Sequence, residues 1–287
     1  MKKTFELTTI LFYPRVLRAC WVAVFSTSAL VLTLAPVVQS QAASINYGNF
    51  SGTTVDYQMV TESSSTDPGP LFGAPTVSGD TLDFNPVGFS ASSSNGGAAD
   101  ITDGQLLFMV KAKPGLGLGS IVIDERGDTS LAGFGTDATF TSVSLNGVLN
   151  ISEVGGVAIN TIALPIAFSS IGPSGGTYGL TTDFGGGPGG TIAWNGSALI
   201  DLTPANPLVA AAYAAQNLDP KVPVTKISVN FDNTLIALSQ AGTSALIAKK
   251  DQLIIIVRNP PGGDVPEPAS AMLALLTMIG AAVVRRR

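Results

Sequence analysis

Hydrophobic and polar residues alternate along several short segments of this chain. Residues 54–61 place Val55, Tyr57 and Met59 at every second position, with polar side chains between them. Residues 226–232 alternate in the same way. A period of two is typical of a β-strand with one solvated face, so both segments are predicted to be strands. Further candidate strands are residues 105–110, 120–123, 142–149, 234–239, 245–248 and 253–258.

One segment has helical character instead. Asn206 is a favoured N-cap residue, and Pro207 suits the first position of a helix. The alanines that follow are strong helix formers and predict two to three turns. Asp219-Pro220 is predicted to stop the helix.

The turn residues between these elements indicate the fold class. Short strands separated by Gly, Pro, Asn and Asp are typical of sandwiches and jelly rolls. We therefore predict an all-β protein: a single antiparallel β-sandwich or jelly-roll-like domain, residues 43–259, with one short helix. Residues 260–264 (PPGGD) are predicted to be a linker, and residues 90–99 and 184–190 (FGGGPGG) to be loops.

Composition narrows the possible chemistry. The 287 residues include no histidine, which excludes Ser-His-Asp triads and histidine-ligated metal sites. The single cysteine, Cys20, precedes the predicted domain, which therefore has no disulfide. Residues 43–264 hold 18 acidic and 8 basic side chains, a net charge of −10. An acidic body binds phosphate poorly, so no nucleic-acid partner is expected. No cofactor and no enzymatic activity are expected either.

The N-terminal segment has the three parts of a secretory signal peptide. Residues 1–18 are basic, residues 19–38 are apolar, and small residues precede a cleavage point between Ala42 and Ala43. The signal peptide is predicted to span residues 1–42, which makes the Sec translocon and signal peptidase expected partners. The alternative is an uncleaved N-terminal membrane helix.

The C-terminal segment is predicted to hold the protein at the inner membrane. Residues 269–284 form a 16-residue apolar stretch, which is short of the roughly 20 residues that span a bilayer comfortably. The chain then ends in Arg285, Arg286 and Arg287, which would remain on the cytoplasmic side. A short helix of this kind suits a transient anchor, and a permanent tail anchor is the alternative.

The segment just before the apolar stretch carries a resemblance to a known family. A Pro-Glu-Pro motif, an apolar helix and an arginine cluster, in that order over residues 265–287, resemble the PEP-CTERM sorting signal. The motif residues are Val265, Pro266, Glu267, Pro268, Ala269 and Ser270. Its two prolines disfavour a helix and leave the motif extended. Residues 44–50 and 124–133 also resemble exported "choice-of-anchor"-like domains that precede such tails.

The resemblance implies a substrate of an exosortase, a membrane enzyme of bacteria that make exopolysaccharide and biofilm matrix. The implied location is the cell surface or extracellular matrix, after a transient stay in the inner membrane. The expected function is that of a structural protein associated with exopolysaccharide. A carbohydrate-binding module is the alternative, followed by a glycan-active enzyme, which would use two carboxylates and no histidine.

Aromatic side chains beside the glycine-rich segment are candidate sugar-binding residues. Tyr178, Phe184 and Trp194 flank residues 185–190, and Tyr213 lies further along the chain. Aromatic rings can stack on sugar rings, but the alternative reading as core or edge residues is favoured for Trp194.

Two polar segments offer weaker candidates. Asp124, Glu125 and Asp128 could supply oxygen ligands to Ca²⁺, together with Asp100 and Asp103, although solvated turns are the favoured interpretation. Residues 113–119 (KPGLGLG) superficially suggest a phosphate loop. Since no Lys-Ser/Thr pair or helix follows, a hairpin loop is favoured there.

Overall fold

The computed structural model describes residues 44–250 and 253–260, apart from the side chains of Ser169 and Ser170. We call this part of the chain the body. The predicted signal peptide and the tail from residue 261 onward lie outside the described residues. In chain order the strands are β1 (Ile45–Ser51), β2 (Val55–Ser63), β3 (Thr76–Ser78), β4 (Thr81–Phe84), β5 (Ser90–Ser94), β6 (Asp100–Ala112), β7 (Ser120–Gly133), β8 (Phe140–Val154), β9 (Val157–Ile166), β10 (Ser169–Gly172), β11 (Thr177–Gly179), β12 (Gly189–Asp201), β13 (Val224–Leu238), β14 (Thr243–Lys249) and β15 (Leu253–Arg258).

These strands form two sheets. The first has the order β1-β2-β6-β13-β8-β11, with β9 also paired to β8. The second has the order β10-β12-β7-β15-β4-β3, and β14 pairs with both β7 and β5. All strand pairings between the named strands are antiparallel. Inward residues of both sheets belong to one hydrophobic cluster. The predicted all-β, antiparallel class with one helix is confirmed for the body.

The alternation of hydrophobic and polar residues along the central strands explains which side chains are buried. On β13, Ile227, Val229 and Phe231 are completely buried and the residues between them are only partly covered. Residues 226–232 and 234–239, predicted as separate strands, belong to this one 15-residue element. The chain needs no turn between them because the period of two continues through Asn233 and Leu235.

The prediction that Met59 faces the core is wrong. The pairing of β2 with β6 shifts register between Gln58 and Thr61, which marks a β-bulge. Met59 adopts a φ of 53° and is 56% exposed, and Val60 takes the inward position instead. The Met59 amide donates to Asn49 Oδ1 at 2.9 Å, so a neighbouring side chain stabilises the bulge.

The predicted helix is present and begins as expected. Helix α1 (Pro207–Ala215) has Asn206 as its N-cap, whose side chain accepts a hydrogen bond from the Leu208 amide. It ends earlier than predicted, because Asn217 has a φ of 55° and the Leu218 amide donates to the Tyr213 carbonyl. This is a Schellman C-cap, in which Asn replaces the usual Gly. No helix of the body is long and apolar enough to cross a membrane.

Three predicted loops are wrong in part: Gly189 and Gly190 of the predicted loop 184–190 belong to β12. Residues 90–94 form the edge strand β5, and residues 113–119 connect β6 of the first sheet to β7 of the second. The latter segment is therefore a crossover between sheets and not a hairpin. It is held by hydrogen bonds from the Leu118 amide to the Val224 carbonyl and from the Gly119 amide to the Arg258 carbonyl.

Candidate functional site

The aromatic residues proposed to bind sugars do not form a surface platform. Trp194 is 1% exposed, Tyr178 is completely buried and Tyr213 is 2% exposed. Phe184 is partly buried and packs against the core cluster. The sugar-stacking hypothesis is wrong for Trp194 and Tyr178, because both ring faces of a stacking residue cannot be covered by protein.

The proposed calcium ligands are also separated. Asp124, Glu125 and Asp128 lie within strand β7, not in a turn, so Asp124 and Asp128 face outward and Glu125 faces the core. Asp128 accepts from Lys250, and Asp124 accepts from Ser197. Within the body no group of three or more His, Cys, Asp or Glu side chains could hold a metal ion. The calcium hypothesis for this trio is therefore wrong on geometric grounds.

Glu125 belongs instead to a cluster of polar side chains inside the core. Lys249 Nζ lies 2.8 Å from Glu125 Oε1, and Asn233 Nδ2 donates to the same oxygen at 3.1 Å. Glu125 is 1%, Asn233 0% and Lys249 3% exposed. We call these three residues the buried charged cluster. Its members come from β7, β13 and β14, so the cluster bridges the two sheets.

Phenylalanine rings enclose the lysine end of this cluster. Lys249 Nζ lies 4.9 Å from the Phe72 ring centre and 5.2 Å from that of Phe89. Phe72 also contacts Phe231 edge-on, with ring centres 6.3 Å apart. Burial lowers the pKa of the Lys249 ammonium, while the charge and hydrogen bond of Glu125 oppose that shift.

Several polar atoms of the cluster lack hydrogen bonds. Glu125 Oε2 and Asn233 Oδ1 are buried and have no partner, and the contact to Glu125 is the only polar contact of Lys249 Nζ. A lysine ammonium carries three N–H donors, so two of them are unsatisfied here. Unpaired groups of this kind are costly in a core, so their presence here needs a physical explanation.

A second buried carboxylate positions Phe72. Glu62, which is 3% exposed, accepts hydrogen bonds from the amides of Leu71, Phe72 and Gly73 at 2.5, 3.1 and 3.0 Å. The Tyr47 hydroxyl donates to it at 2.8 Å. We call residues 71–73 the Glu62 loop. Four donors converge on one carboxylate, which therefore fixes the loop that covers Lys249.

A groove of about 930 Å³ lies at one end of the two sheets. The crossover of residues 113–119, the β8–β9 turn and the segment between α1 and β13 form its walls. Pro260, the last described residue, also lines it. The described part of the chain therefore ends beside this groove.

The groove concentrates positive charge on an otherwise acidic body. Lys111, Lys113 and Lys221 line it, and Glu153 is the only carboxylate among its lining residues. Glu153 is shared between Lys111 at 3.9 Å and Lys226 at 3.5 Å. Sequence reasoning missed this site, because Lys221 lies more than 100 positions after Lys111 and Lys113 and no local pattern connects them.

A pair of aspartates lies on the outer face of the first sheet. Asp103 on β6 and Asp232 on β13 are diagonal neighbours on adjacent strands, since Asp103 lies opposite Thr234, two residues from Asp232. Burial, followed by the hydrogen bond and charge of Asp103, raises the pKa of Asp232 to about 6. The pair lies on a sheet face and outside the groove, whose lining includes a single carboxylate, so no two-carboxylate cleft is formed there.

No known family model matches the sequence, and no curated protein is similar to it.

Proposed function

We propose that the protein is an exported, non-enzymatic structural protein of the cell surface or extracellular matrix, sorted through its PEP-CTERM-like tail. The carrying observation is the short distance along the chain between the motif and β15, which lies between β7 and β4 in the second sheet and ends at Arg258. The Pro-Glu-Pro motif begins seven residues later, at Val265. An antiparallel β body followed closely in sequence by an apolar and basic segment is the arrangement that a sorting tail requires.

Body and tail have different physical roles: the body supplies a folded core, and the tail supplies attachment to the membrane. The body buries aromatic and aliphatic side chains of both sheets in one core. The tail adds a short apolar stretch and three arginines, which favour the inner membrane with the body outside. A membrane-embedded exosortase would then act on residues 265–270 and release the body for association with exopolysaccharide.

Replacing Pro266, Glu267 and Pro268 together with alanine should keep the full-length chain in the inner membrane. The change allows helix to continue into the motif and removes the residues that the enzyme would read. Wild-type protein from the native host should lose its C-terminal peptide. Intact mass measurement on membrane and surface fractions tests both expectations.

A control for this experiment replaces Pro261 and Asp264 with alanine, which also removes a proline and an acid just before the motif. The control should be processed like wild type. If Arg287 remains on the surface-located wild-type form, the tail is a plain anchor and the sorting proposal fails.

The groove favours a second candidate function, binding of an acidic polysaccharide. Three lysines line a cleft with one carboxylate, and the ammonium of the exposed Lys221 makes no ion pair with another residue of the body. Volumes of several hundred Å³ suit ligands of a few rings. Lysines attract carboxylate or sulfate groups along such a polymer, so the groove replaces Trp194 as the candidate glycan site.

Lys221→Glu should weaken retention on a covalently cross-linked uronate gel by roughly fivefold. Reversal of one charge near an anion costs about 1 kcal/mol in a well-hydrated site. The matched control is Lys250→Glu, which makes the same change in net charge outside the groove, where Lys250 pairs with Asp128. Equal losses for both variants, or equal retention of wild type on a neutral cellulose matrix, would argue against the groove.

A further inference from the structure

The buried charged cluster contains the three groups needed to form an amide bond between side chains. Lys249 supplies an amine, Asn233 a carboxamide and Glu125 a carboxyl group that contacts both. We propose that Lys249 and Asn233 become joined by an intramolecular isopeptide bond, with Glu125 as the proton relay. The proposal is independent of how the protein is sorted.

Geometry places both reacting groups against the same oxygen atom of Glu125. Lys249 Nζ and Asn233 Nδ2 both contact Glu125 Oε1, at 2.8 and 3.1 Å. The amine and the carboxamide are therefore neighbours on a single oxygen atom. Reacting groups held next to each other in this way have an effective concentration far above that of the same groups free in solution.

The surroundings of Lys249 favour the reactive form of its side chain, the free amine. A free amine is the nucleophile, and burial lowers the pKa of Lys249 toward that form. Glu125 Oε1 lies 2.8 Å from the amine and is placed to accept its proton during the reaction. The rings of Phe72 and Phe89 lie beside the amine and exclude water.

The step balances without another reactant. Lys249 Nζ attacks Asn233 Cγ, and a C–N bond forms between them. Glu125 accepts the proton that the amine loses and delivers one to Asn233 Nδ2. The bond from Cγ to Nδ2 then breaks, and ammonia leaves. The product amide replaces the Lys249 ammonium, with its unsatisfied donors, by a single N–H, and Asn233 Oδ1 becomes the carbonyl oxygen of the new bond.

The position of the bond gives it a structural role. Asn233 lies on β13 in the first sheet, and Lys249 lies on β14 in the second, so the bond would join the two sheets covalently. The single cysteine of the sequence is Cys20, so no disulfide can connect these sheets. An amide cross-link would restrain the unfolded chain in the same manner and would resist reducing agents.

Tryptic mapping of the full-length protein after denaturation tests the proposal directly. Trypsin cuts after Lys226 and Lys250, and both bonded residues lie between these positions. We expect peptide 227–250, uncut at Lys249 and lighter than its linear form by about 17 Da, the mass of ammonia. Release of peptide 227–249 at its linear mass from wild-type protein would overturn the proposal.

Two variants separate the cross-link from other losses of ammonia. A succinimide at Asn233 would have the same mass change but would survive in Lys249→Arg, so persistence of the loss in that variant contradicts the proposal. Asn233→Asp should still form the bond, but with loss of water, about 18 Da. In that variant the proposal predicts a new mass change, so the test does not rest only on variants that fail to form the bond.

The role of the relay is tested by Glu125→Gln, which should leave peptide 227–249 linear. Asp124→Asn is the matched control, because this neighbouring carboxylate faces the outside of the same strand. It should retain the cross-link. If Glu125→Gln is cross-linked as completely as wild type, Glu125 is not the relay and the proposed mechanism is wrong.

Discussion

Trp194→Ala is expected to lower the free energy of unfolding by about 3–5 kcal/mol, the usual cost of truncating a large buried aromatic residue. Trp194 lies on β12 with 1% of its surface exposed. Its ring covers Gly127 on β7, where an added Cβ would collide with ring carbons Cε2 and Cζ2. Loss of the ring would leave a cavity against a backbone that cannot move in to fill it.

Urea unfolding followed by far-ultraviolet circular dichroism measures this effect. Tryptophan fluorescence is unsuitable, since Trp194 is the only tryptophan after residue 21. Leu199→Ala is the control on the same strand, because Leu199 is 67% exposed and should change stability by less than about 0.5 kcal/mol. Reduced binding to a polysaccharide at unchanged stability of Trp194→Ala would show that the ring is a surface platform after all.

Strands with apolar inward faces could be predicted from the sequence. The bounds of β15 agree with the predicted residues 253–258, and the N-cap and first residue of α1 agree with the prediction from Asn206 and Pro207. In these segments local preference and tertiary packing favour the same structure. Alternation and capping are local signals, so no distant partner was needed to recognise them.

Strand β7 shows why the buried charged cluster and the strand that carries it could not be predicted from the sequence. Glu125, Gly127 and Thr129 face inward on this strand, and none of them is apolar enough to reveal the alternation. Each is explained by a residue more than ten positions away: Lys249 pairs with Glu125, Trp194 covers Gly127 and Thr141 hydrogen-bonds to Thr129. A segment that reads as a polar turn thus becomes the strand that carries the buried charged cluster.

Glu62→Ala is expected to cost about 3–5 kcal/mol of folding stability, although Glu62 touches no other charged side chain. Removal of the carboxylate leaves the amides of Leu71, Phe72 and Gly73 without their acceptor. Each unsatisfied buried donor costs about 1–3 kcal/mol, reduced where the loop can move toward water. Glu62→Gln retains one acceptor oxygen and should lose less.

Comparison of urea midpoints with Asp219→Ala tests this expectation. Asp219 also accepts a backbone amide, that of Lys221 at 2.9 Å, but in an exposed turn where water can replace it. Its loss should change stability by no more than about 1 kcal/mol. Since the Glu62 loop carries Phe72 over Lys249, release of this loop would also admit water to the buried charged cluster. If Glu62→Ala unfolds at the same urea concentration as Asp219→Ala, the loop is held by the packing of Leu71 and Phe72 alone, and the carboxylate does not organise the site.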